Sequence, residues 1–472
     1  MNQRTQGGGR RGPRDGAARQ DRVAVVLYTA DLRVHDHPPL RSALAEADLV
    51  VPLFVRDPAV DAAGFASPNR LSFLADALAD LDAALRERGG RLVFREGPLV
   101  AEVLAVAAEA GADEVHMAAG VSRFAAEREE RLRRELESAG RRLRVHDAVC
   151  TVLAPGAVTP SGKDHFAVFT PYFRRWSATA PRAVGGAPRR VPVPDVGSAR
   201  LPSPKVARRS PGLVPGGESA GRERFRRWLA GGVDDYEDRH DDLAGDATSR
   251  LSPYLHFGCL SAAELVERAR RHGEAGAEAF VRQLAWRDFH HQVLAARPAA
   301  AFEDYRGRGD RWRGEGPEVE AWREGRTGYP IVDAAMRQLR HEGWMHNRGR
   351  LLAASFLTKT LYVDWRIGAA HFLDLLVDGD VANNQLNWQW VAGTGTDTRP
   401  NRVLNPLAQA RRFDPNGDYV RRWVPELADA ALPGGRVHQP WKAADGERPD
   451  YPDPVVALDD GLARFRDARG LD

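Results

Sequence analysis

Cysteine is almost missing from this chain: Cys150 and Cys259 are the only two in 472 residues. That excludes a disulfide framework and a cysteine-rich metal centre, and a reducing cytoplasm is the expected compartment. Lysine is nearly as scarce, confined to positions 163, 205, 359 and 442, so almost all positive charge is guanidinium. Arginine forks suit bidentate phosphate contacts, although a bias in genome composition gives the same skew. Basic and acidic residues nearly balance at 68 and 65, so the net charge of +3 names no partner by itself. No run approaches the roughly 18 apolar residues of a membrane span, which predicts a soluble protein with no membrane partner. Tryptophan is absent before residue 176, and all but one of the 11 lie after residue 220.

What is present falls into four parts. Residues 1–20, MNQRTQGGGRRGPRDGAARQ, hold arginines and glycines but no apolar stretch, so they are read as a disordered basic tail rather than a signal peptide. Over 21–150, β-rich runs at 22–29, 47–55, 91–97, 114–120 and 142–150 alternate with amphipathic helical stretches, which predicts an α/β domain with a doubly wound parallel sheet. The turn after the first run, TADLRVHDHPPL, lacks a Gly-x-Gly phosphate cradle, so this is no ordinary dinucleotide-binding half. Residues 151–218 are rich in Pro, Gly, Ser and Arg and read as an interdomain linker over the surface. From 219 to 472 helix follows helix, and no internal repeat is evident.

Three stretches of the helical half carry candidate chemistry. In TSRLSPYLHFGCLS (248–261), Thr248 and Ser249 precede a helical pattern, where hydroxyls and free N–H groups suit phosphates; a plain N-cap is the alternative. In TGYPIVDAAMRQLRHEGWMHNRGRLLAASF (327–356), a helix from near Pro330 to Gly343 is followed at once by Trp344, His346, Asn347, Arg348 and Arg350. The third is DGD at 378–380 with NNQLNWQWVAGTGTD (383–397). Asp378 and Asp380 have no His or Cys cluster beside them, so arginine or ribose partners are expected, and no metal. Trp388 and Trp390 stand about 200° apart on a helix, which demands two different environments.

Taken together, TSRLSPYL, WRDF, TGYPIVDAAMRQL, GWMHNR, DGD, NWQW and TGTD, in this order and spacing, closely resemble the DNA photolyase/cryptochrome family. The resemblance runs from about residue 22 to 456, with DLRVHDHP near the start and RRWVPEL and VHQPW near the end, and is nearest to bacterial class I cyclobutane-dimer photolyases. It implies a Rossmann-like α/β antenna domain and an all-α domain that binds FAD and DNA. It implies that Tyr236, Thr248, Ser249, Arg250, Leu251 and Ser252 hold the FAD phosphates and nearby groups. Arg287, Arg350, Asp378, Gly379 and Asp380 match positions around the flavin and ribitol, with Asp378 pairing Arg350, and Asn384 matches the residue facing flavin N5. Trp388, Trp365 and Trp312 match a proximal-to-distal electron-transfer chain. Gln283, Trp286, Asn347, Arg348, Trp390 and Arg402 match positions that receive a flipped-out pyrimidine dimer and its phosphates.

The implied activity is that of a deoxyribodipyrimidine photo-lyase, splitting cyclobutane dimers in UV-damaged DNA with an electron from photoexcited reduced FAD. Gln283 and Leu351 depart from the usual Glu and Met of that class, and His240 replaces a frequent arginine. Gln283 is the residue of (6-4) photolyases, yet Asn347 and Leu351 stand where that class has two histidines, so its acid chemistry is lacking. The alternatives are a (6-4) enzyme or a cryptochrome photoreceptor without repair. The expected antenna is 8-hydroxy-5-deazaflavin, because AAGVSRFAAERE (118–129) lacks the Asn-Glu pairing associated with methenyltetrahydrofolate. A monomer is expected, reaching the nucleoid through DNA.

Overall fold

The computed structural model describes residues 21–444 and 446–471. The expected basic tail over 1–20 therefore lies outside the described residues. Five parallel strands, β1 (Val23–Tyr28), β2 (Leu49–Arg56), β3 (Val93–Glu96), β4 (Glu114–Ala118) and β5 (Arg142–His146), form one sheet in the order β3-β2-β1-β4-β5. Strands covered on both faces need apolar residues on both, and β1 and β2 comply with near-continuous VAVVLY and LVVPLF runs. The fifth strand stops at His146, short of the expected 150. The order reverses between β1 and β4, which opens a crevice at their carboxyl ends.

Residues 151–178 correct the expectation of a surface linker. They include the helix Phe169–Ala178, whose Phe169, Tyr172 and Trp176 are buried with Val152, Leu153 and Phe166 in the core shared with the helical domain. Asp288, on the long helix Ala275–Ala296, fixes the segment by accepting from the N–H groups of Val152 and Leu153 and from Trp176 Nε1 at 3.0–3.2 Å. Beyond Ala178 the chain has no helix or strand until Glu218.

The helical domain places its longest helix, Ala275–Ala296, against Val381–Ala392, with Asn347–Ser355 and Trp365–Leu375 beside them. Helix Asn347–Ser355 runs into a π-turn at Phe356–Thr360. Arg70 of the α/β domain ties the halves together, donating to the carbonyls of Leu373 and Leu376. A Cβ at Gly379 would lie 2.9 Å from Arg70 Nη1, so glycine keeps room for that tie. Among the described residues no helix is long and apolar enough to cross a membrane.

Candidate active site

A cavity of about 400 Å³ lies in the helical domain. One wall is Gln283, Trp286 and Arg287, which recur at helical i, i+3 and i+4 spacing on Ala275–Ala296. Asn347, Arg350, Leu351 and Ala354 form a second stripe. Asp378, Asp380, Asn384, Asn387, Trp388 and Trp390 supply a third, and Tyr236 with Thr248 to Ser252 close the far end. Residues separated by more than a hundred positions thus meet around one space. Gly379, Arg348, Arg402, Trp365 and Trp312 are expected site residues that do not line it.

The inner end is buried and polar. Arg350 pairs with Asp378 at 2.8 Å and also donates to Met345 O. Asp380 caps Val381–Ala392, accepting from Asn383 N at 2.8 Å, and faces His291 Nε2 at 3.3 Å. Burial by itself would raise the Asp380 carboxyl, but His291 and Arg287 outweigh it and hold the group well below the ordinary range. Asn384 donates its amide nitrogen to Ala369 O and Gln385 Oε1, both at 3.0 Å, which leaves its oxygen for the cavity. Arg287 donates to the carbonyls of Cys150 and Leu255, joining the cavity wall to the strap from the α/β domain.

The Thr248–Ser252 corner departs from the plain N-cap. The helix starts only at Ser252, spans five residues and has no side-chain cap. Arg250 turns the chain with φ 51° and directs its guanidinium into the protein, onto Asp246, Glu342 and the Trp344 ring at 4.2 Å. Among the described residues Thr248 Oγ1 and Asp378 Oδ1 are buried without a hydrogen-bond partner, and both residues line the cavity. Unpaired buried polar atoms are costly, by about 1–3 kcal/mol each, so a ligand with complementary groups fits here.

At the mouth, Gln283 and Asn347 are exposed. Trp286 is held flat by Phe169 at a centroid distance of 3.7 Å, so the segment mistaken for a linker backs a cavity wall. Trp390 stands half-buried with the Arg402 guanidinium 5.1 Å over its ring. Arg348 is turned aside, ion-paired with Asp241 and stacked over Phe413 at 4.3 Å. The Arg348 guanidinium is therefore engaged by Asp241 beside the cavity and does not line it.

Trp388 and Trp390 both border the cavity, yet in the two environments that their angular separation demands. Trp388 is buried, edge-on to Phe372 at 4.9 Å and to Trp322 at 6.1 Å, and a Cβ at Gly368 would approach it to 2.2 Å. Trp365 is fully buried, donating Nε1 to Asp304 at 2.8 Å, and Trp312 is half-buried against Tyr362. Two glutamines of the Trp388 helix anchor a neighbouring loop. Gln385 donates to Ala301 O, and Gln389, one turn on, donates to Ala300 O and Glu303 O while accepting from Tyr305 N, which pins the loop carrying Asp304. Motif reading missed Asn383, Asn387, His256 and Phe372, all on the cavity wall, and His291 behind Asp380. Helical spacing could have signalled only Asn387, three after Asn384, and His291, four after Arg287.

Residues 280–469 match the FAD binding domain of DNA photolyase, and residues 24–195 match DNA photolyase. The chain is 68% identical to the deoxyribodipyrimidine photo-lyase of Streptomyces griseus, over 95% of this chain and 100% of that one. It belongs to the DNA photolyase family. The photo-lyase of Halobacterium salinarum is 37% identical, with 86% of this chain and 89% of that one covered. A solved class III photolyase from Agrobacterium tumefaciens superposes with a TM-score of 0.89 at 30% identity, covering 97% of this chain and 98% of that one. In the α/β domain, Tyr28 Oη at the end of β1, Asp57 Oδ2 after β2 and Arg128 Nε in the helix after β4 are likewise buried without hydrogen-bond partners among the described residues.

Proposed function

We infer that this protein is a light-driven lyase that splits cyclobutane pyrimidine dimers in UV-damaged DNA. The observation that carries the reading is a single cavity with a buried polar end, holding the unpaired Thr248 and Asp378 atoms, and an exposed mouth walled by Trp286 and Trp390. Tyr236, Thr248, Ser249, Leu251 and Ser252 would hold the phosphate side of FAD, with Arg250 shaping the turn. Arg287, Arg350, Asp378, Asp380 and Asn384 would hold the flavin and ribitol side. Bound there in its reduced form, FAD supplies on absorbing light the electron that opens the dimer and takes it back afterwards.

The protein's own groups then have separate tasks. The Asn384 amide oxygen can accept from a ring N–H without supplying a proton. Trp286 and Trp390 offer stacking faces to extruded bases, each worth about 1–3 kcal/mol, and a poorly stacked dimer is cheaper to extrude than intact bases. Gln283 and Asn347 can hydrogen-bond the bases, and Arg402, beside the Trp390 ring, would contact a phosphate. Asn347 and Leu351 provide no acid at the mouth, which favours cyclobutane dimers over (6-4) products. Trp388, Trp365 and Trp312 would carry electrons inward from the surface.

The β1–β4 crevice is assigned to the antenna, 8-hydroxy-5-deazaflavin in preference to a folate, and the absorption spectrum of the released chromophores tests that choice. The enzyme would act as a cytoplasmic monomer on the nucleoid. Illumination of the reduced protein should restore dimer-containing DNA, and binding should weaken with salt through counterion release. Full photoreduction without any repair would leave a photoreceptor and overturn the reading.

A further inference from the structure

Beyond Trp312 lies a group that the proposed electron path does not use. Tyr362 stands between the π-turn and Trp365, with its ring centroid 4.9 Å from that of Trp312 and the planes inclined by 39°. It is 2% exposed, and its backbone holds φ 56°, a left-handed conformation rare for an aromatic residue. Two contacts keep it there: Arg313 N donates to Tyr362 O at 3.0 Å, and Arg313 Nη1 to Leu361 O at 3.1 Å. These tie the Trp312 loop to the tyrosine. The phenol donates to Asp310 Oδ1 at 2.8 Å, in the same loop as Trp312. Arg469, from the helix Leu458–Arg469, grips that carboxylate with Nε at 2.5 Å and Nη2 at 2.8 Å, and both side chains are buried.

We propose that Tyr362 is the terminal electron donor of this protein, a redox residue that takes over the hole from Trp312 and passes its phenolic proton to Asp310. The inference rests on the reading of Trp312 as the outer member of the tryptophan path. The step is balanced. The oxidant is the Trp312 indole radical cation, produced when a photoexcited oxidised flavin draws an electron along the path. One electron moves from the Tyr362 ring to the Trp312 ring, the O–H bond breaks, and a new O–H bond forms on the Asp310 carboxylate. Neutral indole, a neutral tyrosyl radical and a protonated Asp310 result. A phenol loses an electron readily only when its proton has somewhere to go, and a carboxylate oxygen at 2.8 Å provides that place without any rearrangement. The sequence places tyrosine here one residue before Val363 and three before Trp365, so one short segment sets both aromatic groups.

The change in lifetime is the functional consequence. A hole left on Trp312 can return along the path that brought it, whereas a neutral tyrosyl that has lost its proton must regain it first. Reduced cofactor should therefore survive longer after each photon.

Flash photolysis and electron paramagnetic resonance of the oxidised, FAD-loaded protein test this by radical identity rather than by repair. In the parent protein an indole radical should appear first and give way to a tyrosyl, more slowly in deuterium oxide. Tyr362→Phe should keep the indole radical and lose the tyrosyl, with faster return of oxidised flavin. Asp310→Asn should lower the tyrosyl yield. A tyrosyl that persists in Tyr362→Phe, or an indole radical in the parent that never yields a tyrosyl, overturns the proposal. Absence of any indole radical in the parent would instead overturn the tryptophan path beneath it, and Trp312→Phe, which should stop the hole at Trp365 and lose the tyrosyl while an indole radical remains, separates the two.

Discussion

One face of the α/β sheet, Val25, Leu27, Val51, Leu53 and Val93 closed by Val103, Val106 and Leu132, is wholly apolar, and the buried Asp31, Arg33 and His37 of that domain lie in the loop after β1. In the helical domain Lys359, Asp333, Gln389, His290 and Thr394 are buried just as deeply, in the half that holds ten of the 11 tryptophans. The Lys359 ammonium, pushed down to about 7 by burial, donates to the carbonyls of Ala392 and Pro400 at the end of the Trp388 helix. That sheet face excludes water to be stable, whereas the helical domain arranges polar atoms around a cavity and accepts the desolvation this entails.

That contrast can be broken at several points. Leu27→Ala, at the centre of the sheet, should lose about 2–5 kcal/mol in denaturant unfolding. Flavin photoreduction per folded molecule should be unchanged; a defect there would mean the sheet shapes the cavity. A second test is acid. Burial pushes His290 and His346, each 2% exposed, down to about 4. Their folded values lie below the ordinary 6.5, so the unfolded chain binds more protons between about pH 6.5 and 4. Their contribution is full above 6.5 and disappears as pH falls through 4, roughly 2–4 kcal/mol for each residue. Equilibrium unfolding against pH should show stability falling between about pH 6.5 and 4, and a flat profile there would mean these histidines stay solvated.

Smaller effects sharpen the comparison. Trp286→Ala should weaken dimer-containing DNA by about 1–3 kcal/mol, or roughly 5- to 150-fold, in a binding titration at fixed salt. Undamaged DNA should lose less. Thr248→Val removes a buried hydroxyl without a partner, so the cofactor-free protein should gain up to about 1 kcal/mol in thermal unfolding while FAD binds less tightly. Gain in both would mean the hydroxyl serves no ligand. Gln283→Glu at the exposed mouth should preserve or modestly raise dimer repair, and complete loss would show that the amide is required.

Legibility differed for physical reasons. The β1 and β2 strands were plain because strands buried on both faces read as unbroken apolar runs. Phe169, Tyr172 and Trp176 have helical i, i+3, i+7 spacing, but Pro and Gly on the far side dominated the composition of 151–218 and hid it. The pairing of Arg348 with Asp241 was not legible, because a helix turns each residue by about 100° and Asp241 lies some hundred positions earlier. The tasks of Gln385 and Gln389 cannot be read from local pattern, because their partners are backbone carbonyls of a loop some 85 residues earlier.

By itself the sequence determined the α/β then all-α order, the parallel sheet, the family and most residues of the cavity wall, since these follow from hydrophobic period and from motifs that keep their spacing along the chain. Tertiary structure alone decided that Trp286 is braced by Phe169, that Thr248 and Asp378 keep unpaired atoms, and that Tyr362 meets both Trp312 and Asp310. Those are contacts between remote segments, and no local pattern encodes a partner that only folding brings within reach.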